Sequence, residues 1–209
     1  MQAIERFTHD NSWITLVIIS GIVLISLLKL INESLLIKYT TAFFIPGFFE
    51  KLSEEKKPLF NAFNILLFIF RCITISLCCF IIFFSEDLNK YTFSILLSTV
   101  IIYYSVRQVL DYFLINTIGI YKFVNYFLLT KKGYLNTLSL CLFPFIIINQ
   151  YSLKNKLFLI TACGILFVIR GFLILKNNKS LIISKLFYFI LYFCALEIAP
   201  LLILYKTIT

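Results

Sequence analysis

Residues 183–206 read ISKLFYFILYFCALEIAPLLILYK, an apolar run with one acidic residue, Glu197, and one proline, Pro200, in its interior. About 20 predominantly apolar residues in a helix cross the ~30 Å hydrocarbon core of a bilayer, so this run predicts a transmembrane helix. A carboxyl group at that depth is costly unless another group meets it. The stretch therefore predicts a helical membrane protein. It also predicts a site inside the membrane where the carboxyl group of Glu197 meets another polar or charged group.

The composition of the rest of the chain also indicates a membrane protein. Of 209 residues, 61% are hydrophobic and only 14% are charged, whereas about a quarter of the residues of a soluble domain are charged. The net charge of +9 is distributed over short segments between apolar runs. This pattern indicates orientation in a membrane rather than a basic stripe that binds nucleic acid. We expect the lipid bilayer as a partner and no nucleic acid.

Six apolar runs predict an all-α, polytopic bundle of about six transmembrane helices, which forms a single membrane domain over residues 1–209. The runs lie near residues 13–31, 59–84, 91–118, 134–149, 156–175 and 183–206. Two further segments, near 34–50 and 120–132, mix apolar faces with lysines and predict amphipathic helices at the membrane surface. Pro144 and Pro200 predict helix kinks, because proline removes a backbone hydrogen bond.

Lysines and arginines outside the hydrocarbon are distributed unevenly between the two sides. The segments that follow the first, third and fifth runs carry eleven of them, and the opposite side carries five. Cytoplasmic loops are the ones enriched in lysine and arginine. We therefore predict that both termini lie outside the cytoplasm.

Two smaller features predict contacts of single residues. Trp13, at the start of the first run, is interpreted as an anchor at the membrane interface. Gly164 and Gly171 in the fifth run are seven residues apart, which places them on one helix face where another helix can approach closely.

The chain lacks the residue sets of common catalytic and metal sites. Its single histidine, His9, lies in the polar N-terminal tail, whereas haem, zinc and Ser-His-Asp sites need histidines within the fold. The six cysteines form no CxxC pair and all fall within apolar runs, where free cysteines behave as small hydrophobes: Cys72, Cys78, Cys79, Cys141, Cys163 and Cys194. We predict no cofactor, no metal site and no catalytic residue, and the sequence favours a protein that is not an enzyme.

Five ionisable residues inside the apolar runs form the candidate functional site: Arg71, Arg107, Asp111, Arg170 and Glu197. Counted at 1.5 Å per residue from the predicted cytoplasmic ends, Asp111 and Arg170 lie about 8 to 11 Å deep and the other three about 15 to 20 Å. We predict an Arg170–Asp111 pair in the shallow layer. In the deep layer, Glu197 is expected to meet Arg71, Arg107 or both.

Ionisable residues inside membrane helices usually mark a functional site. The alternative, to which we give equal weight, is that these charges only hold the helices together. Three arginines exceed two carboxylates by one. The remaining cation is expected to meet a lipid headgroup, an anionic ligand or an acidic residue of another subunit.

The last run also carries a family resemblance. The motif YFCALEIAPLLILYK at residues 192–206 and the IRG motif at residues 169–171 resemble an uncharacterised family of polytopic inner-membrane proteins from Bacteroidota, a domain of unknown function. The resemblance covers most of the helical region from about the second helix onward. It implies a bacterial inner-membrane location, a helical fold and no particular reaction. By analogy, restriction to that phylum suits envelope machinery such as type 9 protein export or gliding.

Three classes of function remain open. The first is a structural or accessory subunit of a larger envelope complex, with other membrane proteins as partners. The second is a small transporter, or a proton or ion pathway, centred on Glu197. The third is a lipid-modifying intramembrane enzyme, which ranks last because no HExxH or GxSxG pattern is present.

Overall fold

A computed structural model of the chain describes residues 12–43, 61–84, 89–117, 121–153 and 155–177. Within these ranges the chain forms five α-helices and no strand: α1 Ser12–Thr40, α2 Ala62–Phe83, α3 Lys90–Thr117, α4 Tyr121–Ile148 and α5 Lys156–Asn177. A π-helical turn, Asn149–Leu153, follows α4. The predicted all-helical fold is confirmed for these ranges. The predicted sixth helix, with Glu197 and Pro200, lies outside the described residues.

Four of the described helices are long and apolar enough to cross a membrane. They are α1, α2, the part of α3 over Lys90–Asp111, and the part of α5 over Lys156–Lys176. The fifth, α4, has 28 residues like α3 but carries more polar side chains in its middle. These helices support a protein embedded in a lipid bilayer, and the number of six spans stays a prediction.

The second helix, α2, lies at the centre of the bundle. It contacts α1, α3, α4 and α5, and 56% of its most apolar stretch is buried, against 22% or less in the other three candidate spans. A helix that is apolar on every side is expected in the core. The outer helices α1, α3 and α5 leave broad apolar faces exposed, as expected of surfaces that contact lipid.

Trp13 is part of an aromatic cluster at one end of the bundle. Its ring lies 5.3 Å from the ring of Phe80 in α2 and 5.2 Å from that of Phe93 in α3, measured between centroids. Only 9% of its surface is exposed. Trp13 therefore joins the start of α1 to α2 and α3, and its role as an anchor at the membrane interface stays a prediction.

Asparagines mark where helical segments begin. Asn32 interrupts α1 with a non-helical backbone (φ −159°, ψ 87°), and its Oδ1 accepts hydrogen bonds from the Leu35 N–H at 3.0 Å and the Ser34 hydroxyl at 2.9 Å. Asn89 and Asn155 each accept a hydrogen bond from the backbone N–H two residues later, at the starts of α3 and α5. This is the capping role that asparagine commonly fills. α1 is therefore two helical pieces joined at Asn32.

The two segments assigned to the membrane surface are continuous with longer helices as far as they are described, and their placement at the surface stays a prediction. Residues 33–40 continue as the second piece of α1, and the Tyr39 ring stacks on Phe63 of α2 at 6.0 Å. Residues 121–132 form the first half of α4, and Lys131 is only 7% exposed. As far as they are described, both segments pack part of their surface against neighbouring helices of the bundle.

The glycines of α1 and α5 lie in different surroundings. A Cβ atom added at Gly21 would lie 2.7 Å from Cε2 of Phe143 in α4, whereas no described atom lies within 4 Å of such an atom at Gly164 or Gly171. Close helix approach therefore occurs at Gly21. The contact predicted at Gly164 and Gly171 has no counterpart among the described residues. The helix α4 continues for four residues beyond Pro144, and the predicted kinks stay predictions.

A basic cavity between four helices

Four helices surround a small cavity of about 30 Å³ that is partly open to the exterior. α2, α3, α4 and α5 all contribute to its wall. The lining residues are Arg71, Tyr104, Arg107, Gln108, Asp111, Leu128, Lys131, Lys132, Leu135 and Arg170.

Most of the lining comes from two helix faces with the same spacing. On α3 the residues are 104, 107, 108 and 111, and on α4 they are 128, 131, 132 and 135. Residues at i, i+3, i+4 and i+7 share one side of a helix. One face of each of these two helices therefore points toward a common space, and α2 and α5 each add one arginine to it.

Arg71 is the most enclosed of the lining cations, with only 2% of its surface exposed. Its guanidinium carbon lies 5.0 Å from the ring centre of Phe68 and 4.8 Å from that of Tyr104. Its Nη1 donates a hydrogen bond to Oδ1 of Asn136 at 3.1 Å, while its buried Nε has no hydrogen-bond partner among the described residues. Two aromatic faces and one amide thus hold a charge that connects α2, α3 and α4.

Neighbouring side chains support the wall from α3 and α4. Lys132 Nζ donates to Oε1 of Gln108 at 2.9 Å, which joins the two helices across the cavity. Arg107 Nη1 donates to the Tyr103 hydroxyl at 3.1 Å, one turn earlier on the same helix. These hydrogen bonds orient long cationic side chains that would otherwise sample many rotamers.

The lining side chains bring five positive charges and one negative charge into one space. Inside a bundle the effective dielectric constant is far below that of water, so charges interact more strongly there than at an aqueous surface. The excess of positive charge makes the cavity attractive to an anion. Guanidinium and ammonium groups also supply several hydrogen-bond donors for its oxygens.

The cavity contains four of the five charged residues predicted from the sequence: Arg71, Arg107, Asp111 and Arg170. Counted from the helix ends on that side, Arg71 and Arg107 lie about 14 to 15 Å deep and the other two about 9 to 11 Å. The two predicted layers are thus the deep and shallow parts of one cavity. The Arg170–Asp111 pair and the cluster with Glu197 stay predictions, and Glu197 lies outside the described residues.

The prediction did not include four polar residues of the wall: Tyr104, Gln108, Lys131 and Lys132. The two lysines were assigned to a surface helix. The two neutral residues, taken one at a time, have no property that distinguishes them from other polar residues of a membrane helix. The common spacing of residues 104, 107, 108 and 111 on one helix face is a signal that identifies the first two.

None of the described cysteines lines the cavity. The five described ones are free thiols, buried or half-buried within the helices. In the part of the chain that the structure describes, no three histidine, cysteine or acidic residues gather where they could hold a metal ion. What the described wall offers a ligand is permanent positive charge together with hydrogen-bond donors.

Comparison with known protein families gives a match. A family model described as a domain of unknown function (DUF4271) matches residues 14–208. No curated protein and no solved structure matches the chain. The family match begins within α1, so it extends further toward the N-terminus than the resemblance seen in the sequence, and it includes every residue of the cavity wall.

Proposed function

The chain belongs to the DUF4271 family, and we propose that it is a noncatalytic, membrane-integral subunit of a larger envelope complex that recognises an anionic group at the basic cavity. The observation that carries this proposal is the guanidinium of Arg71, which is held between two rings and Asn136 at the junction of three helices. A charge that is positioned in this way is suited to binding.

The chemistry of arginine supports recognition over proton transfer. A guanidinium stays protonated in proteins, so Arg71, Arg107 and Arg170 act as fixed charges and cannot pass a proton along. Fixed cations around a small space stabilise an anion through charge-assisted hydrogen bonds. An accessory role needs only this recognition and no reaction.

The surface of the described helices supports membership of a complex, because α1, α3 and α5 present apolar faces on which other membrane proteins can pack. We place the complex in the inner membrane of Bacteroidota, in envelope work such as protein export or gliding. This placement rests on the sequence resemblance and on analogy.

Affinity purification from native membranes tests the complex. The full chain, tagged at one terminus, is extracted in a mild detergent beside an unrelated tagged membrane protein of similar size. We expect other membrane proteins to co-purify with the chain in a fixed ratio and to remain with it during size-exclusion chromatography. A monodisperse chain that is stable without partners would contradict membership of a complex.

The alternative of a transporter or a proton or ion pathway centred on Glu197 is a prediction from the sequence. The described cavity favours anions over cations, because rings of arginine and lysine select for anions in membrane pores. Flux in proteoliposomes that is abolished by Glu197→Gln would support that alternative over the accessory role.

A further inference from the structure

The basic cavity has the donors and charges that a phosphate group requires. We propose that it binds the phosphate of an anionic phospholipid headgroup. A phosphate offers several acceptor oxygens, and arginine forks match its geometry with two parallel hydrogen bonds. Cations from α2, α3, α4 and α5 surround the same space, so one phosphate can be met from several sides.

Arg71 supplies the strongest local argument for a ligand. Its side chain is 98% buried, its Nη1 is occupied by Asn136, and its Nε lacks a hydrogen-bond partner among the described residues. A buried donor without an acceptor is costly, and more so when the group is charged. A phosphate oxygen is an acceptor of the kind that this donor lacks, and a local shift of the side chains that enclose Nε would bring the two into contact.

The depth of the cavity fits a lipid headgroup. Asp111 lies six residues, about 9 Å, from the end of α3, and the 28 residues of α3 make it about 12 Å longer than the ~30 Å hydrocarbon core. An even overhang of about 6 Å at each end places the shallow end of the cavity about 3 Å below the headgroup layer. This is the side that the distribution of lysine and arginine predicts to be cytoplasmic. Basic pockets between membrane helices on that side are known to bind the headgroups of anionic lipids.

Access from the membrane favours a lipid over an acidic side chain of another protein. α3 and α5 both border the cavity, and only 6% and 11% of their most apolar stretches are buried. A lipid beside these helices therefore lies next to the wall of the cavity. A carboxylate, in contrast, has only two oxygens for donors on four helices.

This inference rests on the anion recognition proposed above and adds the source of the anion. It does not depend on the chain having protein partners. Binding to the isolated full chain and co-purification of partners are therefore separate measurements, and either can fail alone.

The test compares two lipids that share a phosphodiester and differ in net charge. The purified full chain in a neutral detergent is titrated with dioctanoyl phosphatidylglycerol or dioctanoyl phosphatidylcholine, and bound lipid is counted by native mass spectrometry. We expect one saturable site for the anionic lipid, with an affinity at least about tenfold above that for the zwitterionic one. Added salt should weaken the binding.

Variants locate the site. Arg71→Gln is unsuitable because it removes a central packing group, so the cavity is probed with Arg107→Gln and Lys131→Gln, and circular dichroism verifies the helix content. Each change should weaken binding of the anionic lipid by roughly tenfold, because each removes a charged hydrogen-bond donor. Lys156→Gln, which removes an exposed lysine at the opposite end of α5, should leave the affinity unchanged.

Equal binding of the two lipids, or wild-type affinity in both cavity variants, would overturn the proposal. If an equal concentration of inorganic phosphate displaces the lipid, the cavity binds anions but is not specific for a lipid headgroup, and the proposed lipid ligand is wrong. Displacement by a short acidic peptide but not by phosphate would assign the cavity to an acidic side chain of a partner instead. If no anion binds, the recognition role itself fails.

Discussion

Arg71 illustrates how one charged residue is accommodated in the middle of the most buried helix. An isolated charge there would be strongly destabilising. The faces of Phe68 and Tyr104 and the amide of Asn136 replace part of the lost hydration. Because these partners come from three helices, the arginine also determines how those helices sit around the cavity.

Gly21 is the position where α1 and α4 approach most closely among the described glycines. We expect Gly21→Ala to destabilise the chain by about 1 to 3 kcal/mol, because the new methyl group would lie 2.7 Å from the Phe143 ring. That ring cannot move away easily, since it is buried and packs edge-on against Phe70 at 5.3 Å. Thermal unfolding of the purified chain in detergent measures the change.

Gly164→Ala is the matched control for this substitution. No described atom lies within 4 Å of the added methyl group, and alanine favours helix over glycine. We expect stability to be unchanged or slightly raised. Equal losses in the two variants would show that the Phe143 contact is not the cause.

At the scale of elements, α4 shows why a rather polar helix can pack inside the bundle. Its buried hydroxyls donate to carbonyls of the preceding turn: Thr130 to Tyr126, Thr137 to Gly133 and Ser139 to Leu135, at 2.8 to 3.2 Å. Such bonds satisfy hydroxyl groups without a partner from another helix. Its lysines Lys131 and Lys132 line the cavity, and the segment that carries them is continuous with the rest of α4.

The joint in α1 depends on one capping residue. We expect Asn32→Ala to lower stability by about 1 kcal/mol, because the Leu35 N–H loses its side-chain acceptor at the start of the second helical piece. For a chain of this size, such a loss corresponds to a fall of about 2 to 4 °C in Tm.

Asn32→Asp restores an acceptor at the same position and places a negative charge at a helix N-terminus, which is favourable. We therefore expect this variant to unfold close to the wild-type Tm. An alanine variant as stable as the aspartate variant would contradict the capping role.

For the whole molecule, orientation in the membrane follows from charge. Lys131 and Lys132 were counted among loop residues on the predicted cytoplasmic side, but they lie about 15 Å inside α4. Without them that side still carries nine lysines and arginines against five. The predicted orientation is therefore unchanged, with both termini outside the cytoplasm.

Two exposed lysines at opposite helix ends test the orientation. Lys38→Cys near the end of α1 should react with a membrane-impermeant thiol reagent only after the cytoplasmic side is opened. Lys156→Cys at the start of α5 should react in intact spheroplasts. The native chain provides the background, since its five described cysteines are buried or half-buried. The reverse pattern of labelling would invert the topology.

Much of the fold could be predicted because its signals lie along the chain. Long apolar runs identify helices. Charged residues within them, such as Arg107 and Arg170, stand out because a charge inside a membrane has a high free-energy cost. The contribution of Tyr104 and Gln108 was missed, because neutral polar residues are common in membrane helices and become informative only when their helix face is known to meet another.

The amino-acid sequence by itself determined that this protein is helical, suited to a membrane and rich in positive charge, because length, hydropathy and charge are local properties. Only the tertiary structure decided which charges share a site. Arg71 and Asn136 lie 65 positions apart in the chain, and their contact exists because α2 packs between the other helices. The same packing brings five cationic side chains to one cavity. From the sequence alone, each of them could have made a separate contact between two helices.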